Sequence, residues 1–188
     1  TASGISTLDS HSISCGFCME NDGVTRAPGV WKSFEITDGG RLYTFKIREG
    51  ARWSDGYPYT IEDIRFANED LMLNKELMPG LPPLLKSPLT GNDYQFNVVD
   101  DQTFTMRFDD PHYTLVESKS AVIYSMTKGC PRCFEAPSHS MKRFHPKFNG
   151  AEIPDLLQKF DQPNFPKLFV EIRNGRKYLG APSEAIPT

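Results

Sequence analysis

A chain of 188 residues holds one sizeable hydrophobic core or two small ones. Its 38% hydrophobic and 24% charged residues are ordinary for a globular protein. A formal net charge of −3 excludes the basic surplus that a generic nucleic-acid binder or anionic-membrane binder needs.

Fifteen prolines and fourteen glycines predict a large share of loop. No apolar run approaches the ~20 residues that span a bilayer, so no membrane insertion is expected. The opening "TASGISTLDSHSI" lacks the basic and apolar regions of a signal peptide, a segment that a mature chain would have lost.

Residues 1–24, rich in Ser, Gly, Asp and Asn and without a period, read as an irregular N-terminal segment. "VWKSFEIT" (30–37) and "RLYTFKIR" (41–48) bracket "DGG". Tyr43, Phe45 and Ile47 alternate with polar neighbours, the period of a half-buried strand. Asp-Gly-Gly supplies the positive-φ positions of a tight hairpin. After the turn-rich "REGARWSDGYPYT", Thr60 and Asp63 form a helix-opening capping box. Ile61, Ile64, Ala67, Leu71 and Leu73 predict a helix through about residue 77, ended by Pro79.

The proline-rich segment 78–93 cannot be regular structure. A second hairpin is expected in "YQFNVVDDQTFTMRFDD", with Phe96 and Val98 before the Asp100-Asp101 turn and Phe104, Met106 and Phe108 after it. Residues 113–127 read as a helix, and 137–145 and 151–160 as short helices, with Pro154 in the first turn of the last. A strand is expected at 168–173, before a loop to the end. Hairpins and short helices without βαβ alternation give an α+β class: antiparallel β-hairpins packed with several helices.

Little in this pattern carries chemistry. His11, His112, His139 and His145 are scattered, and a structural or surface role is the expectation for each. The pairs Glu62/Asp63 and Glu69/Asp70 fit a capped, solvated helix face, and Asp100/Asp101 and Asp109/Asp110 fit turns. The basic clusters Lys142/Arg143/Lys147 and Arg173/Arg176/Lys177 read as solvated surface. No nucleophile elbow, phosphate-binding loop or dinucleotide fingerprint is present, so no catalytic residue and no cofactor are assigned.

The cysteines are the one constellation. Cys15 and Cys18 in "CGFC", and Cys130 and Cys133 in "CPRC", form two C-x-x-C pairs with 111 residues between Cys18 and Cys130. Four thiols are the donor set of a structural zinc site, although zinc modules usually keep their pairs close. "CGFC" also has the spacing of a thiol–disulfide redox pair, but no strand pattern precedes Cys15. Metal site, redox centre and cross-links all stay open on the residues alone.

Residues 31–77 carry a broader resemblance. The run "SFEITDGGRLYTFKIREGARWSDGYPYTIEDIRFANEDLMLNKEL" resembles the extracellular solute-binding proteins of family 5, the peptide- and nickel-binding components of bacterial ABC importers. The likeness rests on Tyr43, Thr44, Phe45, Ile47, Arg48, Gly50, Trp53, Asp55, Gly56, Pro58, Tyr59, Thr60, Glu62 and Asp63. "FNVVDDQTFTMRFDDPH" is similar to the family's second hairpin, and "EAPSHSMKRFHPKFN" to a helix of one subgroup.

The resemblance implies part of the first lobe of a two-lobed binding protein, over residues 25–160, with 161–188 as a C-terminal extension. It implies no enzyme. It implies a small, peptide-like solute, with the rest of the binding protein and the importer's membrane subunits as partners. The motif residues Tyr43, Phe45, Trp53, Asp55, Gly56, Pro58, Thr60 and Asp63 read as scaffold, so no ligand contact is carried over. The implied location is periplasmic or extracellular, where thiols oxidise. Disulfides among Cys15, Cys18, Cys130 and Cys133 are then expected in one of three pairings. Closing a loop of that length is worth up to ~4–5 kcal/mol in the chain-entropy model. A zinc module held by all four cysteines, or a thiol–disulfide module, on the same scaffold is the rival reading.

Overall fold

The computed structural model describes residues 17–19, 26–53, 55–117 and 136–173. Strands β1 (Phe17–Met19) and β2 (Arg26–Pro28) pair antiparallel, Cys18 opposite Ala27. The irregular reading of the first residues is corrected to that extent: three-residue strands are too short to show a period.

The expected hairpins are both present. Strand β3 (Trp31–Thr37) turns through Asp38–Gly40 into β4 (Leu42–Ile47). All three turn residues have positive φ: 49° at Asp38, 59° at Gly39 and 86° at Gly40. Gly40 is required twice over, since a Cβ there would meet the Tyr113 ring at 2.6 Å. Strands β5 (Gln95–Val98) and β6 (Thr103–Arg107) make the second hairpin, and β6 docks on β4 to give an antiparallel sheet in the order β3-β4-β6-β5.

The registers line up Phe34, Phe45, Phe104 and Val98 in one row across the sheet. Ile36, Tyr43, Met106 and Phe96 form the row beside it. Alternation therefore sends one set of aromatic side chains inward. Trp31 packs on Phe45 and Phe104, each at 5.1 Å between ring centres. Burying a phenylalanine side chain is worth roughly 1.5–3 kcal/mol, so this face is a large store of stability. The proline-rich segment closes over it: Leu81 and Leu85 are buried in the same cluster, with only a short 3-10 turn at Pro83–Leu85.

Helix α1 (Ile61–Arg65) begins where the capping box predicts. It widens into a π-helical segment, Phe66–Met72, where Leu73 N–H reaches back five residues to the Asn68 carbonyl. The predicted extension to residue 77 is corrected: the helix ends at Met72, before proline intervenes. This spine has two apolar sides. Ile64 and Met72 join the sheet core, while Phe66, Ala67 and Leu71 face a second cluster.

Short helices come next. Helix α2 (Thr114–Glu117) begins the expected 113–127 helix, whose remainder lies outside the described residues. It adds Leu115 to the sheet core, and the segments from Ala136 onward build the second cluster. Helices α3 (Ser138–Met141), α4 (Pro146–Asn149) and α5 (Ile153–Phe160) follow, with a 3-10 turn at Lys142–Phe144. The C-terminal strand is overturned, because Phe165–Arg173 is helix α6. Phe165, Leu168, Phe169 and Ile172 are buried at helical spacing, whereas Val170 is 47% exposed. Asn164 caps the start, accepting from Lys167 N–H. A short apolar run reads as strand or helix alike, and the packing partner decides.

Candidate functional site: a buried carboxylate hub

Asp63 gathers the motif residues. It occupies the third position of helix α1, where its Oδ2 accepts from the Thr60 backbone N–H at 2.9 Å. The same oxygen accepts from Trp53 Nε1–H at 3.0 Å. Its Oδ1 accepts from the Ser138 backbone N–H at 2.9 Å, and its carbonyl from Ala136 N–H at 3.2 Å. The side chain is buried, and its donors come from three stretches of chain. Asp63 thereby ties the Trp53 loop, its own helix and the start of α3 to one point.

The neighbouring motif residues extend this scaffold. Trp53 packs on Tyr59 at 5.4 Å, and Trp31 Nε1–H donates to the Tyr59 hydroxyl at 3.0 Å. Tyr43 and Phe45 lie on the inner face of β4, with the Tyr43 hydroxyl donating to the His112 carbonyl. Pro58 bridges back to Arg52, and Gly56 takes φ 86° in the turn. Asp55 accepts from Tyr57 N–H and meets His139 Nε2 at 2.8 Å. Partial burial works to raise the Asp55 carboxyl, but the bonds from His139 and the Tyr57 amide outweigh it and hold it below the usual carboxylate range. His139 stacks on Tyr57 at 4.1 Å with parallel rings, pinning the turn to α3.

Several polar readings need correction. Asp63 and Asp70 are buried, so in each acidic pair on the spine only the glutamate side remains accessible to solvent. Lys142 ion-pairs with Glu62, and Lys147 with Asp70 at 2.6 Å, so this basic cluster is partly used inside the fold. Burial raises the Glu62 carboxyl, yet its bonds from Lys142 and Arg65 dominate and lower it. His112 and His145 are buried. Sequence reasoning also missed Asn68, whose side chain donates to the Ile64 carbonyl and accepts from the Tyr94 hydroxyl. An asparagine inside an apolar helix face was its one visible signal.

This arrangement positions backbone; it contains no nucleophile paired with a base. Among the described residues no group of three His, Cys, Asp or Glu side chains could hold a metal. Cys15, Cys130 and Cys133 lie outside the described residues, and Cys18 is described only as part of β1. Beside the hub runs a groove of about 240 Å³ bordered by Arg48, Arg52, Tyr59, Thr60 and Gln102. That is below the ~300–1,000 Å³ usual for an enclosed small-molecule site. No helix among the described residues is long and apolar enough to cross a membrane.

Comparison with known proteins places this scaffold. The chain is 30% identical over 148 residues to the periplasmic alpha-galactoside-binding protein of Rhizobium meliloti (strain 1021), covering 77% of this chain and 19% of that protein. It is 25% identical over 107 residues to the periplasmic murein peptide-binding protein MppA of Escherichia coli (strain K12), covering 51% of this chain and 20% of that protein. The solved structure of the oligopeptide-binding protein OppA superposes with a TM-score of 0.74 and 28% identity, covering 98% of this chain and 26% of OppA. The chain thus spans about a fifth to a quarter of the proteins it matches. Residues 25–162 match the model for bacterial extracellular solute-binding proteins, family 5 Middle, and the chain belongs to that family of extracytoplasmic binding proteins.

Proposed function

We propose that this chain is a subdomain of the first lobe of a two-lobed solute-binding protein, and that the complete protein captures a small solute for an ABC importer. The observation that carries the reading is the superposition of nearly the whole chain on one quarter of OppA. The names of the relatives supply the solute class, a short peptide or an oligosaccharide. The buried hub and the small groove support a scaffolding role for residues 25–160, with the solute enclosed only when the other lobe is present. On this reading the protein binds and releases without chemistry. Cys15, Cys18, Cys130 and Cys133 form two disulfides, consistent with an oxidising location.

Thermal-shift and calorimetric titration test this reading on a complete binding protein carrying this chain. Short peptides or an alpha-galactoside should stabilise it, by about 2.7 kcal/mol at a hundredfold excess over Kd. The 188-residue chain alone should show no such shift. Equal binding by the chain alone would move the site into this subdomain, and no response to either solute class would overturn the reading. Mass spectrometry without reductant should find a mass short by four hydrogens and no zinc.

A further inference from the structure

His145 occupies a singular place in the helical half. It is buried, and both ring nitrogens are committed. Lys147 N–H donates to Nδ1 at 3.2 Å, so Nδ1 carries no proton and His145 caps helix α4. Nε2–H donates to the Asp70 carbonyl in the π-helical segment, also at 3.2 Å. The ring meets Phe165 and Phe169 of α6 at 5.0 and 6.2 Å, and Phe66 of the spine at 6.0 Å. One neutral tautomer therefore joins three elements.

We propose that His145 is an acid-operated latch: neutral, it holds the π-helical segment, α4 and α6 together, and its protonation loosens the helical half while the sheet stays folded. A second ring proton would sit on Nδ1, where the Lys147 N–H already points, so protonation and the α4 cap exclude each other. The charged groups facing the ring are Asp70 and Glu76 from the spine side and Lys147 from α4; α6 presents the two phenylalanines. The Asp70 carboxylate is already paired with Lys147. The surrounding aromatic rings attract a cation, but they replace only part of the hydration that a buried imidazolium loses. Burial is the largest influence and holds the imidazole below its ordinary range, so the neutral form wins in the fold. In an unfolded segment the same ring takes up a proton near the ordinary value of ~6.5, so acid favours release. This inference does not rest on the solute-binding reading.

The test is hydrogen exchange with mass readout on the whole 188-residue chain, between about pH 7.5 and about pH 5, corrected for intrinsic exchange. Protection across 142–149 and 165–173 should fall several-fold more than protection across 42–47 and 103–107. In the intact chain, the Lys147 amide resonance should titrate together with the His145 ring. His145→Gln, which keeps a donor but has no titrating group, should abolish the selective loss if it folds. Uniform loss in both halves, unchanged protection, or a Lys147 amide that does not follow the ring would each overturn the latch.

Discussion

The sheet core and the helical core are built from comparably apolar side chains but assembled over different distances in the chain. In the sheet, β3 and β4 meet across a three-residue turn, and each strand carries its own alternating pattern. The helical cluster instead brings Phe66, Ala67 and Leu71 against Ala136, Met141, Phe144, Phe160 and the α6 residues, more than sixty positions away. Its elements are helices of four to nine residues with a 3-10 turn at Lys142–Phe144, each too short to be stable by itself. The sheet half is therefore locally encoded, whereas the helical half exists through its contacts with the spine. The spine helix, with one face in each core and Asp63 in its first turn, is the element that joins them.

The largest effects come from emptying either core. Phe45→Ala and Phe169→Ala should each cost about 3–5 kcal/mol in urea unfolding, since a buried phenyl is lost and the site collapses only partly. Hydrogen exchange then sharpens the contrast. Phe45→Ala should lower protection throughout, whereas Phe169→Ala should lower it mainly in 136–173. Identical exchange patterns for the two variants would show that the halves form one cooperative unit.

Asp63→Ala strikes the junction. It leaves the Trp53, Thr60 and Ser138 donors unsatisfied, at roughly 1–3 kcal/mol for each group that water cannot reach. A loss of about 3 kcal/mol is expected, with Asp63→Asn milder because the amide keeps one acceptor oxygen. Thr60→Ala should cost about 1 kcal/mol through the helix cap, read from the same unfolding curves.

The smallest effect lies at the Asp55–His139 clasp. Asp55→Asn should cost under ~1 kcal/mol, because this pair sits at the partly exposed edge. Asp55 and Glu62 both have lowered folded-state values, so their stabilisation is complete above the ordinary carboxylate range of ~4 and disappears as pH falls through the folded values. His145 acts with the same sign from a higher starting point, since its neutral form is the folded one. A stability profile with its first acid loss near the ordinary histidine range, removed in His145→Gln, would separate the helical contribution from the carboxylates.

Both hairpins and the capping box were legible because each is a local rule. Period-2 alternation, Asp-Gly turns and a Thr-x-x-Asp start involve residues that touch within a few positions. The strand expected at 168–173 failed because "LFVEIR" suits either period until its partner is known; Asn164 and Pro166 were the helix-start signals passed over. The burial of Asp70 and His145 was not legible, and that of Asn68 had only its place in an apolar helix face as a signal. Each has a polar partner more than twenty residues distant, and no spacing rule reaches that far.

The sequence by itself determined the α+β class, the two aromatic hairpins and membership of the binding-protein family, because alternation and turn chemistry are local properties and the family motif lies in one continuous run. Tertiary structure alone decided that the spine would carry two apolar faces and that the last described element would be a helix. It also decided that a histidine would lie neutral at the meeting of three elements. Those outcomes depend on which distant surfaces remove apolar area from water and satisfy buried polar groups, and that is settled only when the halves pack.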